Sequence, residues 1–222
     1  MIEPMSPQPP ASRVAAERLR LIGIADGGWK PWPALQPLAA AALAAGLPAL
    51  MVRDRELSDR ELLPVAWPLR EAARQAGALY ILNRHFSLIN LLAPDALHIG
   101  AGDPAPDQLR DHLGDGLAIG YSAHSEDEAL QAIARGADYV VLSPVFSTES
   151  KPAATPIGLE PLAGLRRRTS TPIIALGGIR AERIQQVLAA GATGVAMIRA
   201  VFGGDPAENV HRLQQAVASA HR

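Results

Sequence analysis

The sequence predicts an α/β protein, a single (β/α)8 TIM barrel with parallel strands, and three observations carry that prediction. Four segments repeat one pattern: "ALAAGLPALMV" from Ala42, "AARQAGALYIL" from Ala72, "AIARGADYVVL" from Ala132 and "VLAAGATGVAM" from Val187. Each reads as a helix end, a glycine and a strand, with Gly46, Gly77, Gly136 and Gly191 where a helix needs a left-handed residue past its last turn. The apolar runs that follow lack strand alternation, so both sheet faces should be covered, as in a parallel sheet with crossover helices. Eight such units then succeed one another without a break in composition, which favours a closed barrel over an open doubly wound sheet.

The elements follow in order. Residues 1–14, beginning "MIEPMSPQPPASR", read as a disordered Pro-rich tail with neither the basic nor the apolar region of a signal peptide. Residues 15–222 form the barrel domain, with strands expected over 19–25, 49–52, 79–82, 96–99, 118–121, 139–142, 173–176 and 194–198. After the second strand, "SDRE" at Ser58 is a capping box, and "SEDE" at Ser125 is another after the fifth. Pro64 and Pro68 each remove a donor from the second helix, which predicts a kink or a late start there. The third helix, around 86–92, should be short. The loop after the sixth strand, "SPVFSTESKPAATPIG" over 143–158, is long and places hydroxyls and a lysine among prolines, which suits a mobile cover that binds anionic oxygens.

Composition narrows the function. At 222 residues and 48% hydrophobic, the chain can bury one sizeable core. With 21 Lys+Arg against 22 Asp+Glu, no global field recruits nucleic acid or an anionic membrane, so the expected partner is a small molecule; homo-oligomerisation stays open. The absence of cysteine excludes a disulfide framework, a thiolate metal site and a cysteine nucleophile, in keeping with a cytoplasmic location. No apolar run approaches the length of a membrane span.

Barrels of this kind build their sites from the loops at the carboxyl ends of the strands. Those positions hold Asp26; Arg53 and Arg55; Asn83, Arg84 and His85; Asp103; Ser122 and His124; Thr148, Ser150 and Lys151; Gly177 and Gly178; and Arg199. The glycine pair ends an apolar strand and opens a helix, so backbone N–H groups there can converge on a phosphate. His124 offers an imidazole able to move protons near neutral pH, or equally a group that caps the next helix or bonds a backbone carbonyl. His98, inside a strand, reads as a satisfied core residue, and Arg166, Arg167 and Arg168 as solvated surface.

The chain resembles the thiamine phosphate synthase and TenI superfamily over residues 21–203. The resemblance rests on "VRDRELSDREL", on "HIG" with Asp103, and on "GYSAHS", "GADYVVLSPVFSTESK", "ALGGI" and "GVAMI". It implies a barrel that holds thiazole phosphate on Gly177, Gly178 and the Arg199 backbone, with Ser122 nearby. In the synthase, a pyrimidine diphosphate loses pyrophosphate with Mg²⁺ help, and the thiazole nitrogen traps the resulting cation. By resemblance Arg53, Asn83, Thr148, Ser150 and Lys151 would hold the diphosphate and Asp103 would ligate Mg²⁺.

Departures weigh against that reaction. At the end of strand two, where synthases carry glutamine and lysine, this chain has Met51 and Arg55. Arg84 stands where synthases place a second Mg²⁺-binding aspartate, and Arg199 where serine is usual. TenI-like members keep the thiazole phosphate site and relax the metal site, and a thiazole tautomerase among them uses a histidine at the position of His124. The leading expectation is therefore a TenI-like proton shift by His124, with no cofactor required. The alternatives are the Mg²⁺-dependent synthase, with Arg84 as a further diphosphate contact, a non-catalytic sensor of thiazole or thiamine phosphate, and, more distantly, a sugar-phosphate isomerase or epimerase. Arg84 is expected to face Asp103.

Overall fold

A computed structural model describes residues 13–150 and 152–220. Eight strands, β1 (Leu21–Asp26), β2 (Ala49–Arg53), β3 (Leu79–Asn83), β4 (Ala96–Ile99), β5 (Ala118–Ala123), β6 (Tyr139–Leu142), β7 (Ile173–Leu176) and β8 (Gly194–Met197), close in sequence order into a barrel. All neighbours are parallel, including the closing pair, where Leu21 lies beside Val195 and Ile22 beside Ala196. The first strand begins later than predicted because Ala16–Leu19 forms a 3₁₀ turn beneath the barrel.

Helices α1 (Trp32–Ala44), α2 (Asp59–Gln75), α3 (Ile89–Leu92), α4 (Pro106–Leu113), α5 (Glu126–Ala134), α6 (Glu160–Arg168), α7 (Ala181–Ala189), α8 (Arg199–Phe202) and α9 (Pro206–Ala220) accompany the strands. None of the described helices is long and apolar enough to cross a membrane. The four repeated glycines have φ of 90° (Gly46), 66° (Gly77), 94° (Gly136) and 105° (Gly191). Each closes its helix in the same way. After α1, for example, Gly46 N–H donates to Leu43 O at 2.9 Å and Leu47 N–H to Ala42 O at 3.0 Å, so the chain turns straight into the next strand.

The late start allowed for α2 and the full capping box expected at α5 need correction. Helix α2 starts on its capping box, with the Ser58 N–H donating to Glu61 Oε2 at 2.9 Å, and runs through Pro64 and Pro68 to Gln75. The carbonyls those prolines leave free belong to Arg60 and Pro64, both on the exposed face, where solvent can reach them. At α5 only half of the box forms. Ser125 Oγ accepts from Glu128 N–H at 3.1 Å, but the Glu128 carboxylate instead takes the His124 N–H at 2.8 Å and the Tyr121 hydroxyl at 3.2 Å.

The core has two layers. Aliphatic groups between strands and helices form the outer one, and Ile22, Ile24, Met51, Ile81, Val141 and Ile174 fill the barrel with Tyr139. Val14 and Leu19 belong to the inner layer and stop the amino end of the barrel. Beside them Arg13 bridges Asp138 at 2.8 Å and Asp115 at 2.6 Å, while Arg110 reaches Asp138 at 2.7 Å. The rest of the expected tail, residues 1–12, lies outside the described residues.

Tyr139 depends on a missing side chain opposite it: a Cβ on Gly120 would lie 2.0 Å from Tyr139 Cζ. A Gly120→Ala variant should therefore lose about 1–3 kcal/mol of stability through overpacking, read as a lower urea midpoint. Adding Tyr139→Leu, which vacates that space, should remove much of the Gly120→Ala penalty.

Candidate active site

The carboxyl ends of the strands surround a cavity of about 910 Å³. Of the positions singled out by sequence, Arg53, Arg55, Asn83, Arg84, Ser122, His124, Thr148, Ser150, Gly177, Gly178 and Arg199 line it, as does Met51. Asp103 does not line the cavity but stands against Arg84, and Lys151 lies outside the described residues. In a ring of eight strands, β3 and β7 are opposite each other. The Arg84 end of the mouth thus faces the Gly177–Gly178 turn.

On the β2–β3 side the mouth is cationic. The Arg53 guanidinium donates to Asp26, whose other oxygen accepts the Gly28 N–H at 3.1 Å. Burial holds Arg53 below the ordinary arginine value against the pull of Asp26, and neighbouring Arg55 and Arg84 act in the same direction as burial. Arg84 Nε lies 2.9 Å from both oxygens of Asp103, and Asp103 Oδ2 also accepts the Gly100 N–H at 2.9 Å.

Arg84 and His85 have φ of 60° and 48°, a left-handed pair without glycine. Such residues persist only where their surroundings hold them. Here the Arg84 N–H donates to His98 O at 3.0 Å, and the His85 ring spans Asp59 Oδ1 at 2.5 Å and Asp54 O at 3.1 Å. Asp54 in turn accepts from Trp32 Nε1 at 2.7 Å and from the N–H groups of Glu56 and Leu57.

The floor is a buried polar chain. Ser122 Oγ is 2.8 Å from His98 Nε2, and His98 Nδ1 is 3.3 Å from the Tyr139 hydroxyl, with the two rings stacked. Burial, aided by the charge of Arg53, pushes His98 down to about 3, so its imidazole is neutral. It is core, as its strand position suggests, yet it also lines the cavity. Higher on the wall, His124 Nδ1 lies 2.6 Å from Ser143 O. Since a carbonyl only accepts, Nδ1 carries the hydrogen, and in the neutral ring Nε2 keeps a lone pair.

On the β7–β8 side, Gly177 and Gly178 have φ of 105° and 62°. A Cβ on Gly177 would meet Pro144 Cα at 2.7 Å, and one on Gly178 would meet Ser147 O at 2.4 Å. The glycines therefore make room for the loop after β6, whose Val145 and Phe146 N–H groups donate to Leu176 O and Gly177 O at 2.9 and 3.1 Å. That loop was expected to be a mobile cover, but its base is pinned. Neither the Gly178 nor the Arg199 N–H finds an acceptor among the described residues, so both remain available to an anion. The Arg199 guanidinium pairs with Glu149 of the same loop.

Sequence reasoning placed Asp26 at the mouth without naming its partner, and passed over Asp59, Glu149 and the His98–Tyr139 contact. Asp26 had a readable signal, since strand register sets it beside Arg53. The other contacts span loops or the barrel interior and leave no local pattern. Among the described residues no group of three or more carboxylate or imidazole side chains could hold a metal ion, and the Asp103 carboxylate is already taken by Arg84 and Gly100. This donor set does not suit Mg²⁺, which takes carboxylate and water oxygens and is repelled by a neighbouring guanidinium.

Hydrogen bonds from Ser87 and His85 hold the Asp59 carboxyl below its ordinary value of 3.8. A depressed carboxylate stabilises the fold above its unfolded value and loses that contribution as pH falls through the folded one. Asp59→Asn should therefore melt below wild type at pH 7, with the gap closing as pH falls below about 4, followed by circular dichroism.

Residues 23–201 match the family described as thiamine monophosphate synthase. A thiamine-phosphate synthase of Methanoculleus marisnigri is 41% identical over 185 residues, 82% of this chain and 88% of that protein. One from Moorella thermoacetica is 42% identical over 197 residues, 87% of this chain and 92% of that protein. The solved thiamine phosphate pyrophosphorylase from Pyrococcus furiosus superposes with a TM-score of 0.83 at 29% identity, over 92% of this chain and 98% of the other.

Proposed function

Because the chain belongs to the thiamine monophosphate synthase family, we propose that it is a transferase of thiamine biosynthesis that joins a pyrimidine diphosphate to a thiazole phosphate. This reading takes precedence over the proton shift favoured by the sequence departures, since relatives 41% and 42% identical carry the synthase name. The observation that carries it is that the mouth is two-ended. Guanidinium groups of Arg53, Arg55 and Arg84 crowd the β2–β3 side, while the Gly178 and Arg199 N–H groups, without an acceptor among the described residues, lie on the opposite β7–β8 side of one 910 Å³ cavity. A single phosphorylated ligand needs one such end; two phosphorylated substrates need both.

In the proposed reaction the bond between the pyrimidine methylene carbon and the diphosphate oxygen breaks, and pyrophosphate leaves with the electron pair. The thiazole nitrogen then donates its lone pair to that carbon to form the C–N bond. Arg53, Arg55 and Arg84, with Asn83, Thr148 and Ser150, hold and neutralise the leaving group. Gly177, Gly178 and the Arg199 backbone seat the thiazole phosphate, and Ser122 marks the floor between the two. In a synthase Mg²⁺ supplies charge neutralisation on the diphosphate; the residues around Asp103 do not suit that ion.

A second reading, the TenI-like proton shift, draws on His124. Its Nδ1 is fixed on Ser143 O, so Nε2 is the atom able to take and return a proton at the cavity wall. Purified protein incubated with pyrimidine diphosphate and thiazole phosphate should form thiamine phosphate and an equal amount of pyrophosphate. Absence of product, together with aromatisation of a thiazole carboxylate phosphate that falls about 10²-fold in His124→Gln, would transfer the site to the second reading. Binding without either turnover would mark a sensor.

A further inference from the structure

Two carboxylates on the cationic side of the mouth are already committed to guanidinium groups. Asp26 holds Arg53, and Asp103 holds Arg84 through both oxygens at 2.9 Å. The second pair is built with a definite direction. The Asp103 side chain is 8% exposed and fixed from behind by the Gly100 N–H, while the Arg84 side chain is 41% exposed and points outward. Its Nε is used by Asp103, and Nη2 has only a long 3.4 Å contact with Ala101 O, so the outer edge of the guanidinium remains for a ligand.

The backbone under Arg84 is equally committed. The left-handed turn at Arg84 and His85 is locked by the Arg84 N–H on His98 O and by the His85 ring on Asp59 and Asp54. Arg53 and Arg55 share the same side of the cavity. For a divalent cation to enter, Asp103 would have to release Arg84 and the ion would have to sit among fixed positive charges. A planar guanidinium instead binds phosphate oxygens directly and in pairs.

We infer that the β2–β3 side of the mouth binds a diphosphate group directly on Arg84, Arg53 and Arg55, with Asp103 orienting Arg84 and no divalent cation between protein and ligand. This deepens the proposed function and rests on it for the identity of the diphosphate ester; the anion site itself stands on the geometry above. The leaving pyrophosphate is neutralised by resident side chains, so the site is charged and ready before substrate arrives.

Inorganic pyrophosphate is the probe, titrated calorimetrically into the full chain with excess EDTA and again with Mg²⁺. The expected result is binding in EDTA at least as tight as in Mg²⁺. Arg84→Ala, with its fold checked by circular dichroism, should weaken EDTA binding about tenfold or more, as loss of a charge-assisted contact implies. Arg84→Lys should restore part of it, and Arg84→Asp should make whatever binding remains depend on Mg²⁺. Binding by wild type only with Mg²⁺, or EDTA binding unchanged in Arg84→Ala, would overturn the inference. The two proposals fail separately. Synthesis and pyrophosphate binding that both require Mg²⁺ would keep the transferase and remove the guanidinium site, whereas metal-free pyrophosphate binding without thiamine phosphate formation would do the reverse.

Discussion

Closure of the sheet between β8 and β1 is the constraint on which the rest of this protein rests. The join leaves no room for error: a Cβ on Gly194 would lie 2.2 Å from Leu19 O, and the Val195 N–H reaches Arg20 O at 3.1 Å across the seam. Once the ring is closed there is no free strand edge, and all carboxyl ends share one rim. Residues as distant in sequence as Asp26, Arg84, His124, Gly178 and Arg199 then line a single cavity without any one segment having to encode it.

That rim is divided by chemistry. The cationic side is made of side chains, with Asp26 and Asp103 each holding an arginine. The side across the barrel adds backbone to side chains such as Arg180 and Arg199, with glycines admitting the loop after β6 close enough to bond the β7 turn. Arg183 adds to that assembly by donating to Gly178 O at 2.9 Å and lying over the Phe146 ring. The two loops are thereby joined at their bases, and a change at Gly177 or Gly178 is felt first by the neighbouring loop.

What the sequence revealed followed from short-range rules. The glycine after each of four helices was legible because a helix end demands a left-handed residue, and the strands because buried parallel strands are continuously apolar. Arg84 against Asp103 was also legible, since β3 and β4 are neighbours and their carboxyl ends converge. The prolines of α2 do not delay its start, because their cost depends on which face they occupy, and exposure is a tertiary property. The role of Gly177 and Gly178 was only half visible: positive φ follows from local logic, whereas the approach of Pro144 and Ser147 does not. His98 was placed correctly in the core, but its partners Tyr139 and Ser122 come from other strands and leave no spacing to read.

The Tyr139–His98–Ser122 chain has a directional character. A neutral imidazole carries one hydrogen, so the chain could run either way, but only one direction gives the tyrosine hydrogen an acceptor. Tyr139 is fully buried and its hydroxyl meets His98 Nδ1 alone among the described residues, so the tyrosine donates to Nδ1. Nε2 then donates to Ser122 Oγ, and the serine hydroxyl is left to donate into the cavity. The floor therefore has a fixed polarity, presenting a donor suited to an oxyanion. Discrimination at this point belongs to the wiring behind the serine as much as to the serine itself.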